Sequence, residues 1–304
     1  MKKTAFLTLL VMMIFGFLLT GCQQDDNEVQ IESEQTTGQY DKRVYELSND
    51  PEVQAELQFM KDELGYDLST ISIIKSGEWK GDYIHKGEWD AVVEPRENIS
   101  DMLQESKNND GNLQSKHRRN RYMATAGSKN IRYNTVSGVS VPSNWKTAIN
   151  SARQKWNNLG KSLTFNTPTN GSYSSSNTVN VIYKPLIGYI DPEDYFKTIA
   201  IARIPKNGES IGTELIINSD MDILLNLSSN QKIFVMTHEL GHNIGFDHTN
   251  TSGGYAQVIT GNPICDNASD TNSLLRPGSN PVPSWPVSGT AFTFCDQLAF
   301  DVYY

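Results

Sequence analysis

The chain has 304 residues, 38% of them hydrophobic and 20% charged, with a formal net charge of −9 and a pI near 5.1. That acidity argues against nucleic acid as a partner, since such partners need clustered positive charge. The length holds a catalytic-sized domain plus a smaller unit, and no solenoid repeat runs through it.

Lys2 and Lys3 precede an apolar run from Ala5 to Leu19, which ends in Leu19, Thr20, Gly21 and Cys22. The run is short for a bilayer span and has the order of a secretory signal, charge first and apolar core second. Its L-T-G-C ending resembles a bacterial lipobox, which implies cleavage after residue 21 and a lipid on Cys22. Residues 1–21 are therefore expected to be a lipoprotein signal peptide and 22–40 a flexible acidic tether. The stretch from Gln23 to Glu28 resembles the acidic tag of surface-exposed lipoproteins. The expectation is an exported bacterial lipoprotein at the outer membrane or cell surface, monomeric and held to the membrane through Cys22.

Residues 41–104 read as a small α+β module. Asp50 is placed to cap a helix with Pro51 in its first turn, and Val53, Leu57, Met60 and Leu64 recur at helical steps before Gly65. Ile71, Ile73 and Ile74, then Tyr83 to Val93, read as short strands closed by Pro95. The echo of Gly77-Glu78-Trp79 in Gly87-Glu88-Trp89 fits a hairpin better than a repeat. The module reads as a propeptide, a stabilising cap or a spacer. Residues 105–129, with Lys116, His117, Arg118, Arg119 and Arg121, have no apolar periodicity and read as an exposed basic linker open to proteolytic processing.

The main domain is expected over 130–304. Ile131, Tyr133 and Thr135 alternate as in a strand, and Ser143 is the expected N-cap of a helix whose face carries Trp145, Ile149, Ala152, Trp156 and Leu159. Further strands are expected at Leu163–Phe165, Val179–Tyr183, Thr198–Arg203 and Glu214–Asn218. Ile199, Ile201 and Arg203 alternate along the third of these. A last helix is capped by Thr293, with Asp296 completing a capping box.

The segment 232–249 carries the chemistry. A helix through Ile233, Phe234, Val235, Met236 and Leu240 puts His238 and His242, four apart, on one face, where they hold one metal ion. Glu239, one position round, is placed as a general base acting on water in an open coordination position. Gly245 ends the helix and lets the chain bring His248 back as third ligand. The pattern H-E-x-x-H-x-x-G-x-x-H resembles the metzincin clan of zinc endopeptidases, and within it the bacterial dual-action HEIGH metallopeptidases. The resemblance implies a metzincin-like α+β domain, with a twisted mixed sheet and a helix after the first strand. It also implies one catalytic Zn2+ and protein or peptide substrates lying extended against an edge strand, for which Ile199, Ile201 and Arg203 are the candidates. The sequence offers no obvious fourth protein ligand, which favours an enzyme over the alternative, a non-catalytic surface lipoprotein that uses zinc structurally to bind a partner.

The clan places a methionine beneath the metal. No Met follows Met236, and in Ser273-Leu274-Leu275 it is Leu275 that stands in the Met-turn position. Leu and Met are near-isosteric, so the floor of the site survives the exchange. Cys265 and Cys295 are the cysteines left after Cys22, and an exported protein is expected to bond them rather than keep two unreactive thiols.

Overall fold

The computed structural model describes residues 50–64, 66–75, 78–87, 89–108, 123–171, 175–248, 273–275 and 292–304. The expected signal peptide and tether, Gly65, Cys22, Cys265 and most of the basic linker lie outside them.

The first module begins with α1 (Pro51–Asp62), whose N-terminus is closed by the Asp50 carboxylate accepting from Glu52 N–H at 2.9 Å. Strands β1 (Ile71–Ile73), β2 (Tyr83–Lys86) and β3 (Asp90–Glu94) form an antiparallel meander. Helix α2 (Arg96–Asn108) follows and corrects the sequence reading, which ended the module at 104 and began an irregular linker at 105. Pro95 closes β3 but also opens this helix, its carbonyl accepting from Asn98 N–H. Few apolar residues, chiefly Ile99 and Met102, mark the buried side of α2. They join Leu57, Met60, Ile71 and Tyr83 in a small core drawn entirely from residues 53–102.

The remainder contains β4 (Gly127–Tyr133), the short hairpin β5 (Thr135–Val136) and β6 (Val139–Ser140), α3 (Ser143–Asn157), β7 (Leu163–Phe165), β8 (Thr169–Asn170), β9 (Thr178–Lys184), α4 (Pro192–Tyr195), β10 (Ala200–Arg203), β11 (Glu214–Asn218), α5 (Ser219–Leu225), α6 (Ser229–Ile244) and α7 (Phe294–Tyr303). Pro142, not Ser143, occupies the N-cap position of α3, and no side chain caps it. Apart from the β5–β6 hairpin, the strands make one mixed sheet in the order β1-β2-β3-β10-β11-β9-β4-β7, with β8 beside β4. The α+β architecture expected from the sequence is present.

Alternation along the strands divides the core in two. Val179, Val181, Leu215 and Ile217 face α3, α6 and α7. Ile182, Ile201 and Ile216 face the opposite side, under the segment carrying Leu186, Ile190 and Tyr195. Trp145 and Trp156 of α3 are fully enclosed, and burial of each such large side chain contributes roughly 1.5–3 kcal/mol. Trp156 also donates its indole N–H to the Thr237 carbonyl at 3.0 Å, tying α3 to α6 one residue before His238.

One expectation is overturned by the topology. β10 is not an edge, because β3 lies parallel beside it with Asp90 opposite Ala200 and Val93 opposite Arg203. The alternation of Ile199, Ile201 and Arg203 identified a strand but carried no information about its neighbours.

Candidate metal centre

α6 starts from a capping box in which the Ser228 hydroxyl accepts from Gln231 N–H and the Gln231 side chain accepts from Ser228 N–H. Its interior residues are buried nearly all round, as a central helix requires. It stops at Gly245, whose φ of 110° is left-handed backbone that a side chain would strain. Gly245 N–H reaches the His242 carbonyl and Phe246 N–H reaches the Gly241 carbonyl. Phe246 then packs parallel to Trp156, with ring centroids 6.3 Å apart, and two residues later the chain delivers His248 to the helix.

The three imidazoles converge. Nε2 of His238 lies 2.8 Å from Nε2 of His242 and 3.3 Å from Nε2 of His248. A fourth group enters that no motif predicts. Asp90 Oδ2 lies 2.6 Å from His248 Nε2, 2.9 Å from His238 Nε2 and 3.4 Å from His242 Nε2. All four donor atoms lie within 4.8 Å of one another and all four residues are buried. Asp90 is the first residue of β3, where the β2–β3 hairpin closes through Gly87 N–H donating to the Asp90 carbonyl. Gly87 is required there, since a Cβ would fall 2.1 Å from Asp90 Oδ1 and 3.1 Å from His248 Cε1. Trp89 packs its ring 4.9 Å from that of His238.

The outer hydrogen bonds define what the inner nitrogens offer. His238 Nδ1–H donates to the Leu274 carbonyl at 2.6 Å and His242 Nδ1–H to the Phe246 carbonyl at 2.7 Å. Carbonyls only accept, so in the neutral rings each Nε2 presents a lone pair. These lone pairs and the Asp90 carboxylate are acceptors facing acceptors, and a metal cation at their centre satisfies them together. The residues therefore fit a metal site.

The Leu274 carbonyl is itself held in place. Asp296 of α7 accepts from Ser273 Oγ–H at 2.5 Å, from Leu274 N–H at 2.9 Å and from Thr293 N–H at 2.9 Å. This clamps the turn at 273–275 under α6, where Leu275 is buried and its Cδ2 lies 2.7 Å from where a Cβ on Gly241 would stand. The expected capping box of α7 is present, and Asp296 serves both that cap and the turn. Cys295 stands beside it in the first turn of α7, and Cys265, its expected partner, lies outside the described residues.

Glu239 is fully buried and neither carboxylate oxygen has a hydrogen-bond partner among the described residues. Burial, and then the charge of Asp90, push its pKa well above the usual carboxylate value. Asp90 goes the other way. Burial opposes its charge, but His248, His238 and His242 outweigh that and hold its pKa well below the usual value. Motif reading thus located three imidazoles and Glu239 but missed Asp90, whose partners lie 148–158 residues away. The one sequence signal was the hairpin echo, in which a buried acid replaces Lys80 of the first copy.

The sequence profile of the dual-action HEIGH metallo-peptidases matches residues 88–286, well over half of the chain and including Asp90. No curated protein matches it. Among solved structures, two of myroilysin are similar to it. One has 15% identity and a TM-score of 0.34 over 61% of this chain and 83% of that one. The other has 14% identity and a TM-score of 0.33 over 60% and 86%. On the strength of the profile match, this chain belongs to the dual-action HEIGH metallopeptidase family.

Proposed function

We propose that the chain is a zinc endopeptidase of metzincin type, exported as a lipoprotein anchored through Cys22, that hydrolyses peptide bonds of extracellular proteins. The observation that carries the reading is the convergence of three buried imidazoles, next in sequence to a buried carboxylate, Glu239, that has no hydrogen-bond partner among the described residues. Imidazoles with a carboxylate suit zinc among the common metals. Zinc in such a site supplies a Lewis acid and lowers the pKa of water towards ~7.

His238, His242 and His248 would hold the ion, with the Leu274 and Phe246 carbonyls fixing the first two rings and raising their basicity. Glu239 takes the proton from the attacking water and returns it to the leaving amine. Its enclosed setting favours the proton-bearing form in the absence of substrate charge, which suits a group that must carry a proton between two steps. Leu275, packed against Gly241, serves as the apolar floor that methionine provides elsewhere in the clan. The Cys265–Cys295 bond belongs to the same reading, tying the loop after the site to α7.

A second reading, a metal strut in a binding protein, draws support from Asp90, because a fourth protein donor closes the coordination shell as structural sites do. It leaves Glu239 without a role. The test is Glu239→Gln, assayed for metal content by mass spectrometry and for cleavage of a peptide library. The enzyme reading expects unchanged metal and at least ~100-fold less cleavage than the wild type. A wild type that binds metal stoichiometrically yet cleaves no member of the library would favour the strut.

A further inference from the structure

We infer that Asp247, held in place by Tyr66 and His85, is a positioning residue for His248, the imidazole of the three that no helix carries. This rests on the metallopeptidase reading and adds a part to the same site.

The three imidazoles are not held alike. His238 and His242 stand on α6, and a backbone carbonyl accepts from Nδ1–H of each. His248 stands three residues beyond Gly245, in irregular chain, and residues 249–272 lie outside the described ones. A ligand on irregular chain keeps its place through what its neighbours touch.

Those neighbours are held from two directions. Phe246 faces inward, its ring 6.3 Å from those of Trp156 and Tyr303 and 6.5 Å from that of Phe300, which ties the turn to α3 and α7. Asp247 is buried among groups of the first module. Its Oδ1 accepts from His248 N–H at 2.7 Å, while its Oδ2 accepts from Tyr66 O–H at 3.3 Å and lies 3.9 Å from His85 Nδ1. One carboxylate therefore links the backbone of a metal-binding residue to side chains 162 and 181 residues earlier in the chain.

Tyr66 and His85 are themselves fixed. Tyr66 N–H donates to the Met60 carbonyl at 2.9 Å, and its ring joins Leu57 and Met60 in the small core. His85 lies in the middle of the meander, opposite Ile71 of β1 and Val92 of β3. The two rings meet edge to face, with centroids 4.2 Å apart. A buried carboxylate is costly unless its oxygens are satisfied, so Asp247 stays where Tyr66 and the His248 amide can both reach it, and that fixes the peptide unit entering His248. The zinc pattern leaves this position open to any residue, so the role is read from the structure and not from the motif.

The experiment measures zinc affinity of the full chain by chelator competition. Asp247→Ala should weaken binding ~10–100-fold, and Tyr66→Phe, which removes only the hydroxyl, roughly 3–10-fold. Both losses should pass through His248. Repeating the two changes in His248→Ala, where His238, His242 and Asp90 remain to hold the ion, should alter affinity by less than ~2-fold. Asp247→Asn keeps an oxygen for His248 N–H and should recover at least ~3-fold of the affinity lost in Asp247→Ala. Tyr66→Phe leaves the ring in its core, so its result decides the matter even where Asp247→Ala fails to fold. Wild-type affinity in Tyr66→Phe and in the Asp247 variants would overturn the inference. Losses of equal size with and without His248 would overturn it too, because they mark a general disturbance of the fold. A wild type that takes up no zinc would bring down the metallopeptidase reading itself, and the inference with it.

Discussion

Glu214 provides a prediction that can be worked from the structure. It opens β11, accepts a hydrogen bond from the Trp79 indole and lies near Glu78, Lys184 and Arg203. Burial first, and then the Glu78 charge, push its pKa from 4.5 up to about 7. The sign follows from linkage. Below pH 4.5 the group is protonated in both states. Between about 4.5 and 7 the unfolded chain loses the proton and the folded chain keeps it, so stability falls as pH rises; above 7 the loss is complete. At ~1.4 kcal/mol per pH unit the full effect is about 3 kcal/mol, and contact with solvent on one side of this half-buried group trims it to about 2 kcal/mol. Glu214→Gln imitates the neutral acid and should remove that slope. Urea denaturation should show variant and wild type nearly equal at pH 4.5, with the variant about 2 kcal/mol more stable at pH 8. A stability difference that stays constant from pH 4.5 to 8 would refute the reasoning.

Other outcomes follow from the scaffold of the site. Asp296→Ala removes the acceptor that fixes Ser273 and Leu274, so the Leu274 carbonyl should lose its hold on His238 and zinc affinity, measured by chelator competition, should fall ~10–100-fold. Gly245→Ala forces a side chain into backbone at φ 110°, which should destabilise the protein by about 1–2 kcal/mol in thermal unfolding and weaken metal binding by displacing His248. Leu275→Met should change stability by less than ~1.5 kcal/mol, whereas Leu275→Ala should lose about 2–5 kcal/mol because it opens a cavity against Gly241.

Local chemistry was legible in the sequence and long-range placement was not. The spacing of His238, His242, Gly245 and His248 encodes its geometry within one helix and one turn, so the imidazoles meet as the pattern requires. The capping box at Thr293 and the strand Glu214–Asn218 are likewise written in neighbouring residues. α2 escaped notice because its apolar side is narrow and Pro95 reads equally as the end of a strand. The position of β10 inside the sheet depends on β3, about 110 residues earlier, and nothing in Ile199, Ile201 or Arg203 reports that pairing. Asp90 was hidden for the same reason. A single acid at the head of Ala91-Val92-Val93 looks like the start of a strand, and its burial among three imidazoles appears only once the hairpin is laid on the sheet.

X-ray absorption at the zinc edge of the purified full chain tests the central claim most directly, because it identifies the metal and counts its imidazoles in one spectrum. The account predicts one zinc per chain with three imidazole nitrogens at about 2.0–2.1 Å and one carboxylate oxygen at about 2.0–2.2 Å, and fewer imidazoles in His242→Ala. A chain that takes up no zinc, or zinc whose imidazole count is unchanged in His242→Ala, would contradict it.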